Sequence, residues 1–242
     1  MAPNNVISVN AVLFDYDDTL IDAREARDNA RRAVIDFLSL VSGLDKSHVL
    51  DVFMNIERQM EAIGQFNRRV WFREVASVLG GIRLSDHEVN ELVKMYWDSW
   101  RSGSRLFSDV LPTLAKLRRC GLRLGIITNT DGEPGLKRDR IRKDGVYELF
   151  DLVIIAGDDT KHVKPHPEPF MKALQVLDMR GNEVIYIGDN VGIDVPGAKA
   201  AGMRVGIINR YNTVDPGITN YKDVRPDFII QSLTELLQLI GC

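Results

Sequence analysis

Short apolar runs alternate with helical patterns through the second half of the chain. The runs span residues 122–128, 152–157, 184–189, 205–208 and 228–230. Apolar positions at helical spacing lie before, between and after these runs, at 108–120, 169–177 and 232–240. One more apolar run, 11–15, stands near the start. Short strand-like runs that alternate with helix-length segments are typical of βαβ units and a parallel sheet.

The pattern between residues 22 and 105 is helical throughout. Trp71, Val75 and Val78 recur at helical spacing, and Ser85 with Glu88 matches a capping box. No proline lies in this stretch, although the chain has nine, and all three tryptophans fall inside it. Because proline is disfavoured inside helices, its absence permits consecutive helices, and we expect the tryptophans to form their core.

These patterns predict an α/β protein with an inserted helical unit. Residues 1–21 and 106–242 form a Rossmann-like parallel-sheet core, and residues 22–105 form an all-helical cap inserted after the first strand. A chain of 242 residues fits one full domain and a smaller one.

Composition narrows the class of protein. Apolar residues make up 45% and the net charge is −3, which disfavours a disordered chain, a nucleic-acid partner or a membrane surface. Residues 1–14 carry no basic residue and are too short and polar to span a bilayer. The two cysteines, Cys120 and Cys242, rule out a disulfide framework and give no support to a redox or zinc site. We expect a cytoplasmic protein, either a monomer or a homodimer.

Polar residues collect where the predicted strands end. These residues are Asp15, Asp17, Thr128, Asn129, Lys164, Asp189 and Asp194. Ligands of open parallel sheets bind at the carboxyl ends of the strands, so we expect these side chains to share one crevice. Clustered carboxylates without cysteine or histidine favour Mg²⁺ as the bound cation. The lysine and the threonine suit an anionic phosphoryl group, and an aspartate can act as a nucleophile.

The order of these groups resembles the four motifs of the haloacid dehalogenase (HAD) superfamily. The matching segments are Asp15-x-Asp17-x-Thr19, Thr128, Lys164-Pro165 and Gly188-Asp189 with Asp194. The resemblance covers nearly the whole chain. The helical insertion resembles the cap of the subfamily that contains phosphoglycolate phosphatase and β-phosphoglucomutase. There is also a general likeness to archaeal-type members proposed to act on glyceraldehyde 3-phosphate.

The resemblance implies a role for each residue. Asp15 would be the nucleophile and a Mg²⁺ ligand. Asp17 would be the general acid and base, with its backbone carbonyl on the metal. Thr128, Asn129 and Lys164 would bind the phosphoryl group.

Two further aspartates complete the implied site. Asp189 would bind Mg²⁺, and Asp194 would orient a metal-bound water or Lys164; it could instead cap the helix that follows. The expected activity is Mg²⁺-dependent hydrolysis of a small phosphorylated metabolite, such as phosphoglycolate, glyceraldehyde 3-phosphate or a sugar phosphate, through an aspartyl-phosphate. The cap would close over the site and exclude water.

Other functions stay open at this point. A phosphomutase has the same motif set. A 2-haloacid dehalogenase fits less well, because dehalogenases of this superfamily lack the second aspartate of the first motif. A non-enzymatic phospho-acceptor or scaffold module is a further alternative, although phospho-acceptor receiver domains place the threonine and lysine after all their aspartates.

Three other groups of residues have simpler interpretations. The basic run at 137–143 is interleaved with aspartates and is expected to be a solvated helix face. His162 and His166 have the spacing of a helical metal-ligand pair, but Pro165 and Pro167 exclude a helix there, so we do not expect them to bind metal. Arg68 and Arg69 in the cap could reach a substrate anion or belong to the surface.

Overall fold

A computed structural model describes residues 7–212 and 224–242. Within them the chain divides into two compact units. One contains residues 7–21, 106–130, 135–212 and 224–242, and the other contains residues 22–105 and 131–134. The short segment 131–134 therefore groups with the helical unit, whereas the sequence pattern assigned it to the core.

The first unit is built on a six-stranded sheet of order β5-β4-β1-β6-β7-β8. Its strands are β1 (Ala11–Phe14), β4 (Arg123–Asn129), β5 (Leu152–Ala156), β6 (Val184–Gly188), β7 (Arg204–Ile208) and β8 (Phe228–Ile230). All neighbouring strands in it are parallel. This confirms the predicted α/β class, because continuous apolar runs belong to strands that are covered on both faces.

Helices alternate with these strands along the chain. They are α5 (Val110–Arg119), α6 (Leu136–Lys143), α7 (Glu168–Leu177), α8 (Val191–Ala200) and α9 (Leu233–Leu239). Phe170 of α7 and Tyr186 of β6 are fully buried and meet edge to face, with ring centroids 4.9 Å apart. The backbone N–H of Ile7 donates to the carbonyl of Leu239, which ties the start of the described chain to α9.

A disulfide joins Cys120, directly after α5, to Cys242 at the end of the chain, with Cα atoms 6.0 Å apart. The cysteine count excluded a framework of several disulfides, but it gave no sign of this single bond. The two cysteines are 122 residues apart in sequence and come together only because α5 packs against α9.

The second unit is helical. Its helices are α1 (Arg24–Ser42), α2 (Lys46–Ala62), α3 (Arg68–Val78) and α4 (Asp86–Arg101). Ser85 and Glu88 form the predicted capping box at the start of α4. Trp71, Trp97 and Trp100 are buried, as expected for its core. Two short strands, β2 (Ile21–Asp22) and β3 (Arg105–Leu106), pair where the chain passes between the units.

Candidate active site

Three adjacent strands bring the predicted residues to one edge of the sheet. In the register of the central strands, Phe14 at the end of β1 lies beside Ile126 of β4 and Ile187 of β6. Asp15 therefore lies level with Gly188, the last residue of β6, and Asp189 follows one residue later. Thr128 and Asn129 are the last two residues of β4. The parallel topology thus gathers carboxylate, hydroxyl and amide groups at the carboxyl edge of the sheet.

A buried lysine lies between two of the carboxylates. The Nζ atom of Lys164 is 2.8 Å from Oδ1 of Asp15 and 2.7 Å from Oδ1 of Asp194. Burial alone would lower the pKa of Lys164, but these two carboxylates raise it above its ordinary value. The side chain is therefore a cation. A fixed positive charge beside Asp15 is suited to stabilise negative charge that develops there.

Asp194 is the best-anchored member of the group. Its side chain is fully buried and accepts hydrogen bonds from Lys164, the Tyr186 hydroxyl and the backbone N–H of Asn190. Asn190, and not Asp194, caps α8, since its side chain accepts from the N–H groups of Gly192 and Ile193. Asp194 is thus placed to fix the position of the lysine, which was one of the two roles expected of it.

Tyr186 is a part of this arrangement that sequence reasoning missed. Its hydroxyl lies 2.9 Å from Nζ of Lys164 and 3.0 Å from both Oδ1 of Asp194 and the carbonyl of Ile127. In the sequence it is one apolar position of a strand. The available signal is its hydroxyl, since a phenol buried in a strand needs hydrogen-bond partners.

Asn129 positions the loop that carries the lysine. Its Oδ1 accepts a hydrogen bond of 2.8 Å from the backbone N–H of Lys164, and its Nδ2 lies 3.4 Å from the carbonyl of the same residue. Thr128, which is 3% exposed, lies one residue earlier on β4. The end of β4 and the lysine loop are therefore joined.

Asp17 is held by two cations of α6. Its carboxylate lies 2.5 Å from Nζ of Lys137 and 2.7 Å from Nη2 of Arg140, and both cationic side chains are buried. Burial raises the pKa of Asp17, but the two cations outweigh it and hold that pKa below its ordinary value.

The prediction that the whole basic run is a solvated face was therefore wrong. Only part of it is exposed, including Arg142 and Lys143. The missed signal is the spacing of Lys137, Arg140 and Ile141, which places two cations beside the buried apolar residue of α6.

The carboxylates suit a divalent cation. Oxygen atoms of Asp15, Asp189 and Asp194 lie within 4.8 Å of one another. Burial, together with the Asp194 and Asp15 carboxylates, raises the pKa of Asp189 well above its ordinary value, and burial also raises that of Asp15. The positive charge of Lys164 balances only one of the three carboxylates, so a further cation would stabilise the cluster. Hard oxygen ligands in this number fit Mg²⁺.

Arg68 and Arg69 contact other side chains of the helical unit. Arg68 is 8% exposed, and its guanidinium lies 3.6 Å from the centre of the Trp71 ring. Arg69 pairs with Glu133 at 2.9 Å. Stacking on an aromatic face accounts for a buried arginine, so Arg68 belongs to the core of its unit.

Comparison with known proteins places the chain in a family. Residues 12–208 match the haloacid dehalogenase-like hydrolases. A glyceraldehyde 3-phosphate phosphatase of Methanopyrus kandleri is 30% identical over 236 residues, covering 96% of this chain and 97% of that protein. The pyrophosphatase PpaX of Bacillus cereus is 28% identical over 247 residues, with 97% and 98% covered.

A solved structure is similar as well. The HAD phosphatase from Thermococcus onnurineus superposes with a TM-score of 0.71 at 28% identity, covering 96% of this chain and 98% of that one. No helix within residues 7–212 and 224–242 has the length and apolar character to cross a membrane. With its parallel sheet, its four motifs at one edge and these relatives, the chain belongs to the haloacid dehalogenase-like hydrolases.

Proposed function

We propose that the chain is a Mg²⁺-dependent phosphatase that hydrolyses a small phosphorylated metabolite through an aspartyl-phosphate on Asp15. The observation that carries this proposal is the ion pair of buried Lys164 with Asp15, beside the Asp189 carboxylate. The names of the relatives, one acting on glyceraldehyde 3-phosphate and one on pyrophosphate, support a phosphorylated substrate.

In the first half of the proposed reaction, a carboxylate oxygen of Asp15 attacks phosphorus and the bond to the leaving oxygen breaks. Asp17 gives a proton to that oxygen, so the product leaves as an alcohol. This step needs a protonated Asp17, so the approach of the negatively charged phosphoryl group must raise the pKa that Lys137 and Arg140 hold low. Lys164 offsets the negative charge that accumulates between Asp15 and the phosphoryl group. Thr128 and Asn129 are proposed to hold the phosphoryl oxygens.

In the second half, water attacks phosphorus while Asp17 accepts its proton. The bond between Asp15 and phosphorus breaks, and inorganic phosphate leaves. The net reaction converts ester and water into alcohol and phosphate. Asp15, Asp189, Asp194 and the backbone carbonyl of Asp17 are the groups proposed to hold Mg²⁺, directly or through water. When bound, the ion polarises the phosphoryl group and neutralises its charge.

The presence of Asp17 favours this function over dehalogenation. Release of a halide needs no proton, whereas the alkoxide of a phosphate ester is a poor leaving group without one. General acid help of this kind contributes about 10²- to 10⁴-fold in rate.

Asp15→Asn tests the nucleophile. We expect phosphate release from p-nitrophenyl phosphate to be lost in this variant, because an amide does not attack phosphorus. Release by the wild type should require added Mg²⁺. Asp139→Asn, an exposed substitution on α6, is the matched control and should keep wild-type activity. Full activity of a folded Asp15→Asn protein would contradict the assignment.

A panel of phosphorylated metabolites tests the substrate class. Phosphoglycolate, glyceraldehyde 3-phosphate, sugar phosphates and pyrophosphate are assayed for phosphate release with the same enzyme preparation. We expect one small monoester to exceed the others in kcat/KM. Conversion of a sugar phosphate to its isomer without release of phosphate would instead identify a mutase.

A further inference from the structure

Two histidines and a glutamate meet on the loop between β5 and α7. The imidazole rings of His162 and His166 stack with centroids 4.0 Å apart, and Nδ1 of His162 lies 2.7 Å from Oε2 of Glu168. The prolines at 165 and 167 exclude a helix, as expected, but they do not keep the histidines apart. The loop brings the two imidazole rings together, as one face of a helix would have done.

The donor atoms of these residues fit one ion. Each residue offers a ligand atom, and the three atoms lie within 4.8 Å of one another. A tetrahedral ion with bonds of about 2.0–2.1 Å holds its ligand atoms roughly 3.3 Å apart. Both histidines are exposed, so rotation of their side chains brings the atoms to that spacing without movement of the buried core.

The loop holds the carboxylate in place. Glu168 accepts hydrogen bonds from the backbone N–H of His162 at 2.9 Å and of Lys161 at 3.3 Å. Its own N–H donates to Nδ1 of His166 at 3.2 Å. An oxygen ligand that is fixed before the ion arrives has less side-chain freedom to lose on binding.

The ligand set differs in kind from the carboxylates around Asp15. Two imidazoles and one carboxylate suit ions of borderline softness such as Zn²⁺, whereas all-oxygen sites suit Mg²⁺. We propose that His162, His166 and Glu168 bind one divalent transition-metal ion of the zinc class, separately from the magnesium site. The ion replaces the proton between His162 and Glu168, and water completes its coordination.

An ion bound at this site would also affect the position of Lys164. Lys164 lies on the same loop, between the two histidines, and its backbone N–H is fixed by Asn129. An ion bound at both ends of the segment 162–168 restrains the backbone that presents the lysine. This inference concerns a second ion and does not depend on the hydrolytic mechanism.

Zinc titration of the full chain in excess Mg²⁺ tests the proposal. The protein competes with a chromophoric chelator for ZnCl₂, and we expect one Zn²⁺ per chain. His162→Ala and His166→Ala should each weaken binding by at least roughly 10-fold. The control is His48→Ala/His87→Ala, which removes the other two of the four histidines and should bind like the wild type.

Two results of the titration would overturn it. One is unchanged zinc affinity in His162→Ala/His166→Ala, and the other is binding that is lost in Asp189→Asn but kept without the two histidines. Protection of the wild-type protein against diethyl pyrocarbonate gives a measurement that needs no variant. Zinc should slow modification of His162 and His166 but not of His48 and His87, and equal rates at all four would also contradict the site.

Discussion

Asp17 shows how far single residues could be predicted. Its place in the motif was visible in the sequence, and so was the basic run. The ion pairs of Asp17 with Lys137 and Arg140 could not be predicted, because the whole helical insertion separates these residues in the sequence. Charged residues are ordinarily assigned to the surface, and they are buried here because each has a partner of opposite sign. The aspartates of the candidate site were predictable from motif order, whereas the side chains that contact them were not.

Loss of either cation should impair Asp17 without removing it. Lys137→Met and Arg140→Met are expected to lower kcat for phosphate release by about 10- to 100-fold, since a small misplacement of a reacting group has an effect of this size. Arg142→Met, on the exposed part of the same helix, should leave kcat unchanged. Equal kcat in all three variants would show that the ion pairs do not position Asp17.

The ion pair of Asp109 with Arg210, which lies beside the loop after β1, should contribute to stability in acid. Asp109 accepts two hydrogen bonds from Arg210, of 2.9 and 2.8 Å, and one from the N–H of Leu233. Burial raises the pKa of Asp109, but these bonds outweigh it and lower that pKa below its ordinary value. The carboxylate therefore stabilises the fold above about pH 4, and this stabilisation is lost as pH falls through the lowered pKa.

Asp109→Asn tests this by urea unfolding between pH 3 and 7. We expect a loss of about 1.5–3 kcal/mol at neutral pH, as for hydrogen bonds to a charged group. The difference from wild type should shrink below pH 4. Asp139→Asn, whose partner Arg142 is also exposed, should cost less than about 1 kcal/mol at every pH. A difference for Asp109→Asn that stays constant with pH would contradict the argument.

At the scale of elements, the strands were predicted well because burial on both faces leaves a continuous apolar run. The observed β5 and β6 differ from the predicted runs by one residue each, and β8 has the predicted bounds. α6 had no such signal, since most of its residues are charged. The disulfide between Cys120 and Cys242 could not be predicted from the sequence, because only tertiary packing brings the two cysteines together.

Removal of this bond should lower stability. Its closed loop spans 122 residues of sequence separation, for which the chain-entropy model gives roughly 4–5 kcal/mol. Cys120→Ser/Cys242→Ser should therefore unfold at lower urea concentration than the oxidised wild type. Dithiothreitol should shift the wild type to the same midpoint and leave the double variant unaffected. A wild type insensitive to the reductant while its thiols become titratable would contradict the prediction.

At the scale of the whole molecule, the change from alternating strand and helix patterns to helices alone was visible in the sequence. Each unit contains its own buried residues, with Phe170 and Tyr186 in one and the three tryptophans in the other. The N–H of Phe107 donates to the carbonyl of Leu20 at 3.1 Å, so the core chain resumes beside the point where it was interrupted. A short turn can therefore replace the insertion without altering the sheet.

A core-only variant tests this independence. Residues 22–105 are replaced by a short Gly-Ser turn, and we expect a cooperatively unfolding protein, since closing a short loop between adjacent ends costs little entropy. Near-ultraviolet circular dichroism and urea unfolding are the measurements. A variant of the same design that also carries Phe170→Ala should lose several kcal/mol. Failure of the core-only protein to unfold cooperatively would show that its core depends on the helices.

The disulfide also decides how the chain would respond to a mechanical load. Tension applied between the first residue and Cys242 passes directly to Cys120, so residues 121–241 lie in a closed loop that carries no force. Only the first 120 residues can be extended, by on the order of 400 Å. These include helices α1 to α4 and β1, whereas β4 to β8 lie within the protected loop. Pulling would therefore remove Asp15 from the site and leave Lys164 and Asp189 enclosed in the unloaded part of the chain.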